Sequence, residues 1–164
     1  MKITMGGNPI TLIGNEVKIG QMAPNFKAVK GDMSEFKFSD YLGKKIVLTS
    51  FPSIDTGICA MQATKFNHEI SKFEDTVLIT VSNDLPFALS RYCSVNGIEN
   101  AITISDHKDV DFGMKYGMLI EELRLLARAV FVIDKEGKIA YIEVCQEIKS
   151  EPDYEKALSV LNTL

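Results

Sequence analysis

Apolar residues fall along this chain in two rhythms. Short β-branched runs at residues 46–51, 76–81, 102–104 and 129–133 are bounded by polar or turn-forming residues, and each predicts a buried strand. After the first run, Ala63, Phe66, Ile70 and Phe73 recur at helical spacing and predict one apolar helix face. Residues 86–95 read as a second helix with Pro86 in its first turn. Residues 110–118 read as a short helix and loop. Two hairpins frame the body. Ile3 to Met5 and Ile10 to Ile13 flank the turn Gly6-Gly7-Asn8, and the turn 134–138 folds residues 139–144 back on the strand before it. Ser150-Glu151-Pro152-Asp153 predicts the start of a last helix, whose buried face is Tyr154, Ala157, Leu158 and Leu161.

This alternation predicts an α/β three-layer sandwich, a mixed β-sheet flanked by helices. A closing hairpin followed by a helix suits a thioredoxin-like arrangement, here with an added N-terminal β-hairpin. A length of 164 residues suits one domain, 1–164, with residues 1–17 as its hairpin extension. Apolar residues make up 46% and charged residues 24%, and the net charge of −4 is spread without a basic stripe, so no nucleic-acid partner is expected. No stretch approaches the ~20 apolar residues of a membrane helix. The start of the chain has polar residues and glycines where a secretory leader needs an apolar run. The expected location is cytoplasmic.

Three cysteines, Cys59, Cys93 and Cys145, make an odd number that does not suit a secreted disulfide framework. Cys59 falls where a buried strand gives way to an amphipathic helix. In the first helical turn, unpaired backbone N–H groups and the helix dipole favour an anion, and both favour a thiolate. A thiol of ordinary pKa, ~8.5, is roughly 3% thiolate at pH 7, whereas one lowered to ~6 is about 90% thiolate. That gain is only ~30-fold, so a fast thiol reaction with peroxide also needs groups that polarise the O–O bond and align it. Thr56, three residues before Cys59, and Arg128, just before the 129–133 strand, are the candidates. An arginine fork can donate to sulfur and to peroxide oxygens together. Pro52 would shield the sulfur and offers no competing N–H. On the residues alone the plainer readings stay open: Cys59 as a small core residue, Thr56 as a helix cap, Arg128 as half of a surface ion pair.

Other constellations carry less. His68 lies nine residues beyond Cys59, ~180° around and ~13.5 Å along one continuous helix, which excludes a Cys–His pair. The acidic stretch 106–111 fits neither zinc nor calcium spacing and reads as a solvated loop. No phosphate loop and no C-x-x-C pair occurs, and no metal or organic cofactor is expected.

Pro52, Thr56 and Cys59 match P-x-x-x-T-x-x-C, the motif of the peroxiredoxins. The string Pro52-Ser53-Ile54-Asp55-Thr56 before Cys59 resembles the thiol peroxidase subfamily, the atypical 2-Cys peroxiredoxins. So do Ser90-Arg91-Tyr92-Cys93, residues 125–134 and the amino-terminal hairpin. The resemblance covers essentially the whole chain. It implies that Cys59 is the peroxidatic cysteine, supported by Pro52, Thr56 and Arg128. It also implies that Cys93 resolves the sulfenic acid as an intramolecular Cys59–Cys93 disulfide, re-reduced by thioredoxin. Hydrogen peroxide and alkyl or lipid hydroperoxides are the implied substrates, and a homodimer the implied assembly. Two departures stand out: Gly57 replaces the usual proline and should loosen the loop, and Cys145-Gln146 replaces Val-Pro, leaving Cys145 as a structural or semi-exposed thiol. With the two cysteines on separate helices, the sulfurs should not touch in the reduced fold, because a disulfide needs Cα atoms about 5.5 Å apart. The alternatives are a single-cysteine peroxidase, or a redox-sensing module in which Cys93 is structural.

Overall fold

A computed structural model describes residues 1–164. Ten strands, four α-helices and one 3₁₀ turn follow one another as β1 (Lys2–Met5), β2 (Asn8–Ile13), β3 (Lys27–Lys30), β4 (Glu35–Lys37), the 3₁₀ turn (Phe38–Tyr41), β5 (Lys45–Ser50), α1 (Gly57–Ile70), β6 (Thr76–Ser82), α2 (Pro86–Asn96), β7 (Ala101–Ser105), α3 (Asp111–Tyr116), β8 (Leu119–Ile120), β9 (Ala129–Ile133), β10 (Ile139–Val144) and α4 (Tyr154–Asn162).

The main sheet has seven strands in the order β10-β9-β5-β6-β7-β3-β4. β5, β6 and β7 run parallel, whereas β9 pairs antiparallel with β5 and β3 antiparallel with β7. The expected mixed sheet flanked by helices is therefore present. Its centre is built from residues buried on both faces, as parallel strands require. Val47, Leu78, Val130 and Val132 meet Phe66 and Ile70 of α1 and Tyr154, Ala157 and Leu161 of α4. Their strand neighbours Ile46, Leu48, Ile79, Val81 and Phe131 face the other way, onto Phe112 and Tyr116 of α3. There Phe26 lies 5.2 Å from the ring centres of both Phe38 and Phe112, at the heart of an aromatic cluster. The crossovers β5-α1-β6 and β6-α2-β7 step the same way along the sheet. Crossovers of one hand then place α1 and α2 side by side on one face.

The amino-terminal hairpin turns through Gly6 and Gly7, with φ of 58° and 81°. Positive φ at both central residues is the signature of the two-residue turn that matches strand twist. The carboxylate of Glu147 clasps this turn. It accepts from the Gly6 and Gly7 N–H groups at 2.9 and 3.0 Å and from the Thr4 hydroxyl at 2.9 Å. These donors hold Glu147 down at about 2.

Several expectations need correction. β3 and β4 lie in a region given no strand, and β8 joins β2 to turn the hairpin into a three-stranded sheet. These strands are two to four residues long, so tertiary pairing rather than local pattern creates them. The last helix starts at Tyr154, capped by Asp153, whose carboxylate accepts from the Lys156 N–H at 3.0 Å; Ser150 instead closes a turn onto Glu147 O. Phe73 falls beyond the end of α1. The stretch 106–111 is not simply a solvated loop. Asp106 is buried and accepts from the Phe112 and Gly113 N–H groups, and burial pushes its carboxyl up to about 6.

Candidate active site

Cys59 is the third residue of α1, following the N-cap Thr56, so its side chain hangs from the first helical turn. Strand β5 and the loop 51–56 deliver it there. Phe51, Ile54, Ala63 and Leu89 pack around it, and Cys59 is fully buried. Arg128 ends the segment before β9 and is only 2% exposed. Its guanidinium reaches across the sheet face to the sulfur: Nη2 donates to Cys59 Sγ at 3.2 Å.

The rest of the guanidinium is fixed by two groups that the sequence reading did not single out. Nη1 donates to Gln62 Oε1 at 2.6 Å, and Nε donates to the Ile148 carbonyl at 2.9 Å. Gln62 is buried and uses its amide N–H groups on the Thr49 hydroxyl and the Ser50 carbonyl, which turns its oxygen toward the arginine. A signal for Gln62 was present: it stands three residues after Cys59, on the same helix face. Ile148 acts through its backbone, which no side-chain pattern reveals. None of the six ion pairs in the molecule includes Arg128. A buried cation without a charged partner is costly. The one contact able to carry negative charge is the sulfur of Cys59.

Pro52 and Thr56 share with Arg128 a pocket of about 250 Å³, which Met5, Gly57, Ile58, Ile148 and Lys149 also line. Thr56 is exposed, and its hydroxyl donates to the Ser53 carbonyl at 3.2 Å rather than to the sulfur. Its side chain caps no backbone N–H of the helix. Gly57 has no left-handed φ and open space where a side chain would begin. A proline would fit this first helical position, so glycine here answers no steric demand.

All three cysteines are free thiols. Cys93 lies half-buried on α2, with its Sγ 3.4 Å from the Thr103 hydroxyl, in a separate pocket with Leu89, Ser90 and Ile98. Cys145 is buried, and burial followed by the nearby Glu143 charge pushes its thiol up to about 11. His68 is solvent-exposed near the far end of α1, remote from the Cys59 turn. No group of three His, Cys, Asp or Glu side chains is placed to hold a metal ion, and no helix is long and apolar enough to cross a membrane.

Known proteins match the whole of this architecture. The Redoxin family pattern spans residues 18–158. A thiol peroxidase of Oceanobacillus iheyensis is 49% identical over 160 residues, covering 98% of each chain. One from Staphylococcus saprophyticus is 50% identical over 163 residues, covering 99% of each. The crystal structure of a peroxiredoxin-like protein from Aquifex aeolicus superimposes with a TM-score of 0.92 at 38% identity, over 99% of this chain and 97% of that one. A Chromobacterium violaceum thiol peroxidase has the same fold, with a TM-score of 0.90, at 17% identity. This chain belongs to the redoxin family, in the thiol peroxidase branch of the peroxiredoxins.

Proposed function

We propose that this enzyme reduces hydrogen peroxide and organic hydroperoxides to water and alcohols, with Cys59 as the attacking thiolate. The observation that carries this reading is the buried Arg128, whose Cys59 contact at 3.2 Å is its one partner able to become an anion. A guanidinium has five N–H donors. Three are taken by Ile148, Gln62 and Cys59, which leaves two for an incoming peroxide. The thiolate attacks one peroxide oxygen, the O–O bond breaks, and Cys59 becomes a sulfenic acid while the second oxygen departs as alkoxide or hydroxide and takes up a proton from solvent to give alcohol or water. Arg128 stabilises the charge that builds on the leaving oxygen. Thr56 turns its hydroxyl from Ser53 to the bound peroxide, and Pro52 keeps water from the sulfur.

In the second half-reaction Cys93 attacks the sulfenic acid, an intramolecular disulfide forms, and a dithiol reductant of the thioredoxin class restores both thiols. The apolar side chains of Met5, Pro52 and Ile58 around the pocket favour an alkyl chain on the substrate. The chain acts as one domain, 1–164, with 1–17 as its hairpin extension, in the cytoplasm and as a homodimer. No metal or organic cofactor takes part.

The test is peroxide oxidation of wild type, Cys59→Ser and Cys93→Ser, with peptide mapping of the cysteines. The expected result is a Cys59–Cys93 link in the wild type and loss of peroxide consumption in Cys59→Ser. Consumption by Cys59→Ser at the wild-type rate overturns the assignment. Full turnover of Cys93→Ser with a small thiol, and no link in the wild type, replaces the two-cysteine cycle with a single-cysteine one.

A further inference from the structure

The two sulfurs sit on separate helices and each is engaged elsewhere, Cys59 with Arg128 and Cys93 with Thr103. Before they can meet, the turn carrying Cys59 has to leave its seat. Asp84, in the three-residue link between β6 and α2, ties that turn down.

The Asp84 carboxylate accepts three hydrogen bonds. Ser53 Oγ donates at 2.7 Å to one oxygen; the Ile54 N–H at 2.8 Å and Ser82 Oγ at 2.7 Å donate to the other. Its own carbonyl accepts from Ser105 Oγ at 2.5 Å, so Asp84 is anchored to the ends of both β6 and β7. Two of its three carboxylate donors belong to the loop between Pro52 and Thr56. Asp84 also stands directly before Leu85 and Pro86, where the Cys93 helix begins. One side chain thus joins the cap of the Cys59 helix to the root of the Cys93 helix. A second, weaker tie lies farther along α2. Tyr92 Oη donates to the Ala60 carbonyl at 3.3 Å and lies 3.4 Å from the Thr64 hydroxyl. Leu89, on the same helix, packs in one apolar cluster with Cys59.

Hydrogen bonds to a carboxylate are stronger than those between neutral groups. No ion pair competes with these donors for Asp84. We propose that Asp84 is a latch that sets the rate of disulfide formation, holding the Cys59 loop closed for peroxide attack and releasing Ser53 and Ile54 before Cys93 can reach the sulfenic acid. This rests on the two-cysteine reading above. In the step it controls, the Cys93 thiolate attacks Cys59 sulfur. The S–S bond forms, the S–OH bond breaks, and hydroxide leaves to take up a proton as water. Asp84 touches none of the reacting atoms and is a positioning residue. Because peroxide competes with Cys93 for the same sulfenic acid, the latch also sets how readily Cys59 proceeds to irreversible sulfinic acid.

The test compares wild type, Ser53→Ala, Asp84→Asn and Tyr92→Phe. Rapid mixing with one equivalent of peroxide gives the rate of disulfide formation after sulfenic acid. Intact mass at excess peroxide gives the sulfinic fraction, and hydrogen exchange reports opening of residues 53–60. Losing one hydrogen bond to a charged group is expected to speed disulfide formation about tenfold in Ser53→Ala. Asp84→Asn should exceed this and Tyr92→Phe fall short of it, with sulfinic acid decreasing in the same order. Should Asp84→Asn fail to fold, Ser53→Ala decides. Faster exchange of residues 53–60 with an unchanged or slower disulfide rate overturns the latch and leaves the two-cysteine cycle standing. A wild type that forms no Cys59–Cys93 link overturns both.

Discussion

Cys59 and Cys145 are both buried, and both belong to the surroundings of Arg128, yet they meet it from opposite ends. Cys145 lies across the β9–β10 ladder and donates its backbone N–H to the Arg128 carbonyl at 3.0 Å. Cys59 receives the far end of the same residue, the guanidinium, at 3.2 Å. Burial raises the Cys145 thiol and Glu143 raises it further, while the arginine charge, spent elsewhere, lowers it by less. Lying beside an arginine in the sheet is therefore not the same as receiving its donors: the planar fork points at Cys59, and Gln62 and Ile148 hold it in that direction.

The comparison breaks most plainly at Cys145 itself. With its thiol at about 11, roughly 10⁻⁴ of it is thiolate at pH 7, so alkylation should be slower by that factor than for a fully ionised thiol. Labelling of native protein, followed by mass mapping, should rise about tenfold per pH unit toward 11. The neutral buried thiol favours the fold below the ordinary value of 9.0, and that contribution is lost as pH rises through about 11. Fast labelling of Cys145 at pH 7 would erase the contrast. Next in size, Arg128→Met should lower the second-order rate of Cys59 oxidation by peroxide about 10²- to 10³-fold, measured by stopped flow, while leaving Cys145 as unreactive as before. Gln62→Leu keeps the guanidinium but removes an acceptor from it and the amide donor from Thr49. A hydrogen bond to a charged group is worth about 1.5–3 kcal/mol, so a rate loss of tenfold or more is expected. Smallest is Gly57→Pro at the start of α1. Thr56 already has the extended backbone, φ −100° and ψ 145°, that precedes proline readily. The variant should gain about 0.4–1 kcal/mol in denaturant unfolding.

The strands that carry the sheet were legible because they are buried on both faces. Continuous apolar runs such as Val47-Leu48 and the five buried residues of β9 leave no other reading. The amino-terminal hairpin was legible through its two glycines. β3, β4 and β8 were not, since so few residues carry no period and exist only by pairing with partners distant in sequence. Asp106 misled for a related reason: an acidic stretch looks solvated until a helix start arrives to supply its N–H donors.

Position along the chain by itself determined that Cys59 begins a helix after a buried strand, because strand and helix periodicities are local and meet at that residue. Spacing also put Pro52 and Thr56 in the loop that leads into that helix. Only the tertiary structure decided that Arg128, sixty-nine residues away, lays its fork on that sulfur, that Gln62 and Ile148 aim it, and that Asp84 ties one cysteine's loop to the other's helix. Such contacts depend on how strands β5, β6 and β9 lie side by side. No interval along the sequence encodes a distance across a sheet, since the hydrogen-bonded ladder sets it only once the chain has folded.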